Sequence, residues 1–187
     1  MSERSEHFDL REGYVYDPII KGADTTYWSA ITGTLTVASN KLRFNNDRHA
    51  SFIQHIFGKF TFAVNVATRP ATNDNKIWGL RNPGAATRGA MFFELADTTF
   101  RVVSFDDFGD TSQTTNLTWD SDVYDAAEIN YGIRWEEDGV DFLIRDTVVA
   151  THRTSFGKIP LSIEIRNEDA DNMDVGFIEI KNSKNII

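Results

Sequence analysis

Asp169, Asp171 and Asp174 lie in the acidic run NEDADNMD, Asn167–Asp174, and supply carboxylate oxygens at closely spaced positions. Hard cations take several oxygens from a tight loop, so calcium is thinkable here, although no cofactor is expected. The run lacks the glycine and the closing glutamate of a helix–loop–helix calcium loop, and a solvated acidic loop between strands is the plainer reading. FDDFGD, Phe105–Asp110, is a weaker version of the same pattern. The four histidines (His7, His49, His55 and His152) are scattered, and none has a partner at metal-ligand spacing. His152 ends the strand-like TVVATH and reads as a hydrogen-bonded histidine on a sheet face. Cysteine is absent, which excludes disulfides, thiolate metal sites and a thiol nucleophile. No G-x-S-x-G, H-E-x-x-H, G-x-G-x-x-G or phosphate-binding loop occurs. Asn116-Leu117-Thr118 matches a glycosylation sequon.

The elements that must position such residues are strands. Lys59–Thr68 puts Phe60, Phe62, Val64 and Val66 on one face. Glu128–Trp135 does so with Ile129, Tyr131, Ile133 and Trp135, and Gly139–Arg145 with Val140, Phe142 and Ile144. Ile159–Arg166 adds Ile159, Leu161, Ile163 and Ile165. A period of two with one apolar face marks half-buried antiparallel strands. Shorter runs at Thr34, Lys41, Ser51, Lys76, Arg88, Thr98 and Asp174 read the same way, and Asp138-Gly139 is a type I′ hairpin signal. Only Ser121–Ala127 has room for a helical turn. The sequence thus predicts an all-β, two-sheet antiparallel jelly-roll sandwich. Residues 1–187 read as a single domain, with 1–12 an N-terminal arm and 182–187 a C-terminal tail. Phe60, Phe62, Val64, Tyr131, Ile133, Trp135, Phe142, Ile144, Ile163 and Ile165 are the expected core.

Composition narrows the function classes. With 187 residues, 41% apolar and 25% charged, the chain is globular and long enough for a substantial core. A net charge of −9 disfavours nucleic acid, whose phosphates need a basic face. The charged start MSERSEHFDLREG does not resemble a signal peptide, and no apolar run reaches the length of a membrane span.

The stretch NYGIRWEEDGVDFLIRDTVVATHRTSFGKIP, Asn130–Pro160, resembles a strand–hairpin–strand of the concanavalin A-like lectin/glucanase superfamily. SIEIRNE and NMDVGFIEIK, from Ser162 and Asn172, are similar to the closing strands of family-sixteen glycoside hydrolases. WGLRNPGAATRGAMFFELADTTFRVVS resembles mid-sheet strands of laminin G-like modules, so the resemblance spans roughly Phe57 to Lys181. It implies a concanavalin A-like fold, shared by enzymes, lectins and structural modules. The family's enzymes carry alternating carboxylates on one strand, because retaining hydrolysis needs two carboxyl groups about 5–5.5 Å apart. In the matching stretch RGAMFFELAD, Glu94 stands alone within the strand, and Asp97 falls on the opposite face or in the turn. Glu136, Glu137 and Asp138 sit at a hairpin tip, away from any cleft. No enzyme is expected.

The resemblance also implies a groove on the outer face of one curved sheet. Strand parity assigns Trp78, Phe92, Glu94, Arg101 and Arg134 to it, as aromatic faces for stacking and charged groups for hydroxyls. The structural alternative is that loops cover Trp78 and Phe92, and that Glu94 forms a cross-strand ion pair with Arg101 or Arg134. The expected function is a non-catalytic structural surface protein, viral in character, such as a capsid decoration or fibre protein at the virion surface. Its partners would be other copies or assembly proteins, with glycans secondary, and neither nucleic acid nor membrane. A carbohydrate-binding lectin-like module is the first alternative and a divergent glycoside hydrolase the second.

Overall fold

The computed structural model describes residues 14–16, 28–29, 35–45, 50–52, 60–67, 75–82, 89–96, 99–106, 112–118, 128–136, 139–153, 161–168 and 172–182. Among them are fifteen strands and no helix. In chain order these are β1 (Tyr14–Tyr16), β2 (Trp28–Ser29), β3 (Leu35–Ala38), β4 (Lys41–Asn45), β5 (Ala50–Phe52), β6 (Phe60–Ala67), β7 (Asn75–Arg81) and β8 (Ala90–Ala96). There follow β9 (Thr99–Phe105), β10 (Ser112–Leu117), β11 (Ile129–Glu136), β12 (Gly139–Ile144), β13 (Thr147–His152), β14 (Ser162–Asn167) and β15 (Asn172–Asn182). They form two antiparallel sheets. The eight-stranded sheet runs β13-β12-β11-β6-β15-β4-β3, with β1 also on β15, and the seven-stranded sheet runs β10-β9-β8-β7-β14-β5-β2. The expected all-β sandwich is the fold observed.

Alternation decides which side chains meet between the sheets. Of the expected core, Val64, Tyr131, Ile133, Trp135, Phe142, Ile144, Ile163 and Ile165 are all buried. Phe60 and Phe62 lie in β6, and their side chains fall outside the described residues. The centre is aromatic: Trp78 packs on Tyr131 with ring centroids 4.9 Å apart and stacks on Phe93 and Phe100, each at 6.1 Å. Phe142 meets Phe93 edge-on at 5.5 Å. Such contacts add about 0.5–1.5 kcal/mol per pair beyond the area they bury.

The sandwich is laced shut along one edge. β10 ends the seven-stranded sheet and β13 ends the eight-stranded sheet. Between them stands His152, buried, with Nδ1 2.8 Å from Ser104 Oγ and Nε2 2.9 Å from Thr115 Oγ1. Gln113 completes the clasp: its Oε1 accepts from the Arg153 backbone N–H at 3.1 Å, and its Nε2 donates to the Arg153 carbonyl. The histidine expected on a sheet face is hydrogen-bonded, and it faces inward.

Two hairpins turn on residues with positive φ. Ser39 and Asn40 (φ 52° and 62°) join β3 to β4, and Arg145 and Asp146 (φ 48° and 63°) join β12 to β13. Both are type I′ pairs, whose twist matches the flanking strands. A side chain in this conformation costs roughly 1–2 kcal/mol, which glycine escapes. Asp146→Gly is expected to raise unfolding stability by about 0.5–1 kcal/mol in a urea titration, the gain being trimmed by glycine's freedom in the unfolded chain.

Candidate functional site

Register assembles the outer face of the seven-stranded sheet into three rows that cross five strands. The first is Arg166–Ile77–Glu94–Arg101–Asn116, from β14 through β7, β8 and β9 to β10. The second is Glu164–Gly79–Phe92–Val103–Thr114, and the third is Ser162–Arg81–Ala90–Phe105–Ser112. The middle of this grid is apolar and its two sides are polar. Ile77, Ala90, Phe92 and Val103 form a small buried cluster with Phe105 against it.

Charged residues frame that cluster in pairs. Arg101 Nε donates to Glu94 Oε2, from the position directly opposite on the next strand. Arg81 reaches diagonally to Glu164, Nη1 to Oε1, at 3.0 Å, and its guanidinium lies 5.4 Å above the centre of the Phe92 ring. Arg166 lies 3.5 Å from Glu168. Burial pulls the Arg81 guanidinium below its ordinary value, and Glu164 partly restores it. The backbone is close-packed beneath: a side chain on Gly79 would come within 2.6 Å of Phe92 Cα and Cβ, so glycine is what lets β7 and β8 approach this closely here. Arg101, with 38% of its side chain exposed, meets solvent together with exposed Asn116 beside it and with Thr114 and Ser112 farther along β10.

The structure sorts the five residues assigned to the groove. Glu94 and Arg101 face outward together, paired in the way the structural alternative describes. Phe92 faces outward as parity requires, but it is only 4% exposed, packed between Arg81 and Phe105, and offers no open stacking face. Trp78 is misassigned. It pairs in register with Phe93, not Phe92, so it points into the core and is 1% exposed. Arg134 is misplaced as well. β11 belongs to the eight-stranded sheet, so Arg134 faces the other side of the molecule, where it bonds Asp141 at 2.6 Å.

The cation ligands divide likewise. Both Asp174 oxygens accept from Arg43, Nε to Oδ1 and Nη2 to Oδ2, each at 2.8 Å. This fork raises the Arg43 value above its ordinary one and accounts for the carboxylate without a metal. Asp169 and Asp171 lie outside the described residues, as do His7, His49 and His55. Among the described residues no group of three histidines or carboxylates is placed to hold a metal ion.

Strand-parity reasoning passed over the eight-stranded sheet's outer face, where Asn65, Asn130 and Phe177 form another cross-strand row. Beside it the small residues Ala63 and Gly132 pair between Leu143 and Glu179. The signal available was the outward Asn65 and Asn130 at matching places in two adjacent strands. Phe177 gave none, because a bulge between Val175 and Phe177 shifts its parity.

Comparison with solved structures decides the architecture. A transglycosylase, Crh5 in complex with NAG, superposes with a TM-score of 0.71 at 15% identity, over 92% of this chain and 85% of that one. The fold is the concanavalin A-like sandwich. A laminarinase from Flavobacterium sp. UMI-01 matches this sandwich with a TM-score of 0.71 at 11% identity, over 91% of this chain and 100% of the other. A botulinum neurotoxin type C structure, described as depending on two ganglioside molecules for cell entry, matches at 0.60 and 10% identity, over 92% of this chain and 48% of that one. No family model matches the sequence, and no curated protein does either. Among the described residues of this concanavalin A-like chain, no helix is long and apolar enough to cross a membrane.

Proposed function

We propose that this chain is a carbohydrate-binding sandwich that breaks no bonds, and that it holds a sugar on the outer face of the seven-stranded sheet beside Glu94, Arg101 and Asn116. The observation that carries this reading is the bond from Arg101 to Glu94. In the outward row of β8, Glu94 follows Ala90 and Phe92, so among the described residues of that row no second carboxylate stands beside it. The neighbouring outward glutamate, Glu164, lies two strands away in the next row and is held by Arg81. Retaining hydrolysis asks for two carboxylates about 5–5.5 Å apart and free to exchange protons and a glycosyl group. A guanidinium–carboxylate pair beside an exposed amide does something else. It presents fixed donors and acceptors to the vicinal hydroxyls of a sugar.

The carbohydrate class is supported by the neighbours, whose names speak of a transglycosylase with NAG, a laminarinase and ganglioside. Residues 1–12 and the tail after Asn182, through which a role in assembly at a virion surface would dock on neighbours, lie outside the described residues. The glycan reading leads for that reason. Incubation with mixed-linkage glucan, laminarin, agarose and carrageenan is expected to release no reducing ends. Binding on a glycan array is expected to fall about tenfold or more in Arg101→Ala, the size of one charge-assisted hydrogen bond, and by a smaller factor in Asn116→Ala, the size of a neutral one. Turnover that Glu94→Gln abolishes would overturn the non-catalytic reading.

A further inference from the structure

We propose a second carbohydrate site on the opposite side of the molecule, where the outer face of the eight-stranded sheet holds two consecutive rings of a neutral oligosaccharide across Phe177. It stands on different residues from the site proposed above and does not depend on it.

The site starts with a break in strand parity. β15 carries Val175, Ile178 and Ile180 inward, and the extra residue at Gly176 turns Phe177 out to the surface, half-buried. On one side of Phe177 the sheet sinks, because Gly132 and Ala63 stand next to each other where neighbouring positions hold Leu143 and Glu179. The depression measures about 180 Å³, with Phe177, Asn130 and Thr61 on its rim. On the other side a second depression of about 330 Å³ runs to the Ser39–Asn40 turn and the ion pair of Lys41 with Glu128. Phe177 lines both.

A pair of amides links the two depressions. Asn65 Nδ2 donates to Asn130 Oδ1 at 2.9 Å; Asn130 lines the first depression and Asn65 the second. Asn65 is largely buried, and a side chain at Gly176 would meet its Oδ1 at 2.4 Å. Glycine at the bulge is what leaves room for this amide. An asparagine has two donor hydrogens and an acceptor oxygen, so Asn130, having spent its oxygen on Asn65, presents N–H to the depression. An aromatic ridge between two shallow hollows, with side-chain amides and a threonine hydroxyl at their rims, matches the two apolar faces and the hydroxyl edges of linked pyranose rings.

Charge selects the kind of sugar. Lys41, the one basic residue lining either hollow among the described residues, is committed to Glu128. Glu179 is held by Lys181 at 2.9 Å, and Asp146 stands exposed at the rim. Among the described residues both lysines near the hollows, Lys41 and Lys181, are paired with glutamates, and the carboxylates would repel a phosphate, sulfate or sugar carboxylate. The ligand is therefore uncharged.

Titration of the isotope-labelled protein with laminarihexaose, chitohexaose and a sialylated oligosaccharide tests the proposal by amide chemical shifts. The expected result is movement of the Gly132 and Gly176 backbone amides and the Asn65 and Asn130 side-chain amides with a neutral sugar, and none with the sialylated one. Phe177→Ala is expected to weaken this binding about tenfold, which is ~1.4 kcal/mol. Ala63→Leu, which fills the first hollow, should weaken it too, while Arg101→Ala leaves it unchanged. Shifts confined to the Glu94–Arg101 face, no shift with either neutral sugar, preference for the sialylated sugar, or undiminished binding by well-folded Phe177→Ala would each overturn it. Loss of the Arg101-dependent binding alone would count against the first site and leave this one standing.

Discussion

Trp78→Ala is expected to lose about 3–5 kcal/mol of folding stability, the range for emptying a large aromatic from a packed core. The indole is 1% exposed and touches Phe93, Phe100 and Tyr131, which come from both sheets. Removing it opens a cavity where the two sheets meet, and their backbones cannot collapse to fill it without disturbing the ladders. Urea unfolding should show a lower midpoint with an unchanged slope. Trp78→Phe is expected to cost much less, because Trp78 Nε1 is buried with no hydrogen-bond partner among the described residues and its removal deletes an unsatisfied donor. Any loss of sugar binding in Trp78→Ala should follow the unfolded fraction. Selective loss of binding at full stability would contradict the core placement.

The second large effect is acid sensitivity centred on His152. Burial lowers its proton affinity below the ordinary value of 6.5, and the neutral ring serves Ser104 and Thr115 with its two nitrogens. When folding depresses a basic group's value, the unfolded chain binds the proton first. The stability the neutral ring contributes is therefore complete above about pH 6.5 and is lost as pH falls through that value toward the lower folded one. His152→Ala is expected to cost about 2–4 kcal/mol at neutral pH, from two hydroxyls deprived of a partner and the cavity left beside Phe142. Its unfolding midpoint should also lose the part of the pH dependence below about pH 6.5 that the native protein shows, as a thermal series run downward from neutral pH would reveal. A mutant with the same slope in that window would assign the sensitivity elsewhere.

The central strands were legible because their apolar alternation is strong. β6, β11 and β12 each carry three or more apolar residues at every second place, β14 continues the alternation of Leu161 with Ile163 and Ile165, and burial follows that pattern where the side chains are described. β10 was illegible. SQTTNL has no apolar alternation, since this edge strand gives one face to solvent and spends Gln113 and Thr115 on the clasp with β13. The turns at Ser39–Asn40 and Arg145–Asp146 lack the glycine that marks such turns, and paired strands on either side impose their conformation. Trp78 went astray because KIWGLR is apolar on both faces: Ile77 fills the outer cluster while Trp78 and Leu80 fill the core. Period-two reasoning gives no sign in such a strand. Arg134 was placed on the wrong sheet because alternation reports which face a side chain takes and says nothing about which sheet its strand joins.

The inserted residue at Gly176 also governs how this chain tolerates change in length. Loops between strands absorb insertions and deletions at small cost. β15 cannot, because it is the strand through which β6, β4 and β1 are all paired. Excising one residue there would exchange the two faces of everything downstream, carrying Glu179 and Lys181 toward the core and Ile178 and Ile180 toward water. Drift among descendants of this chain should therefore proceed by substitution along β15 and by length variation elsewhere. A homologue lacking the bulge would need a compensating deletion or insertion within the same strand.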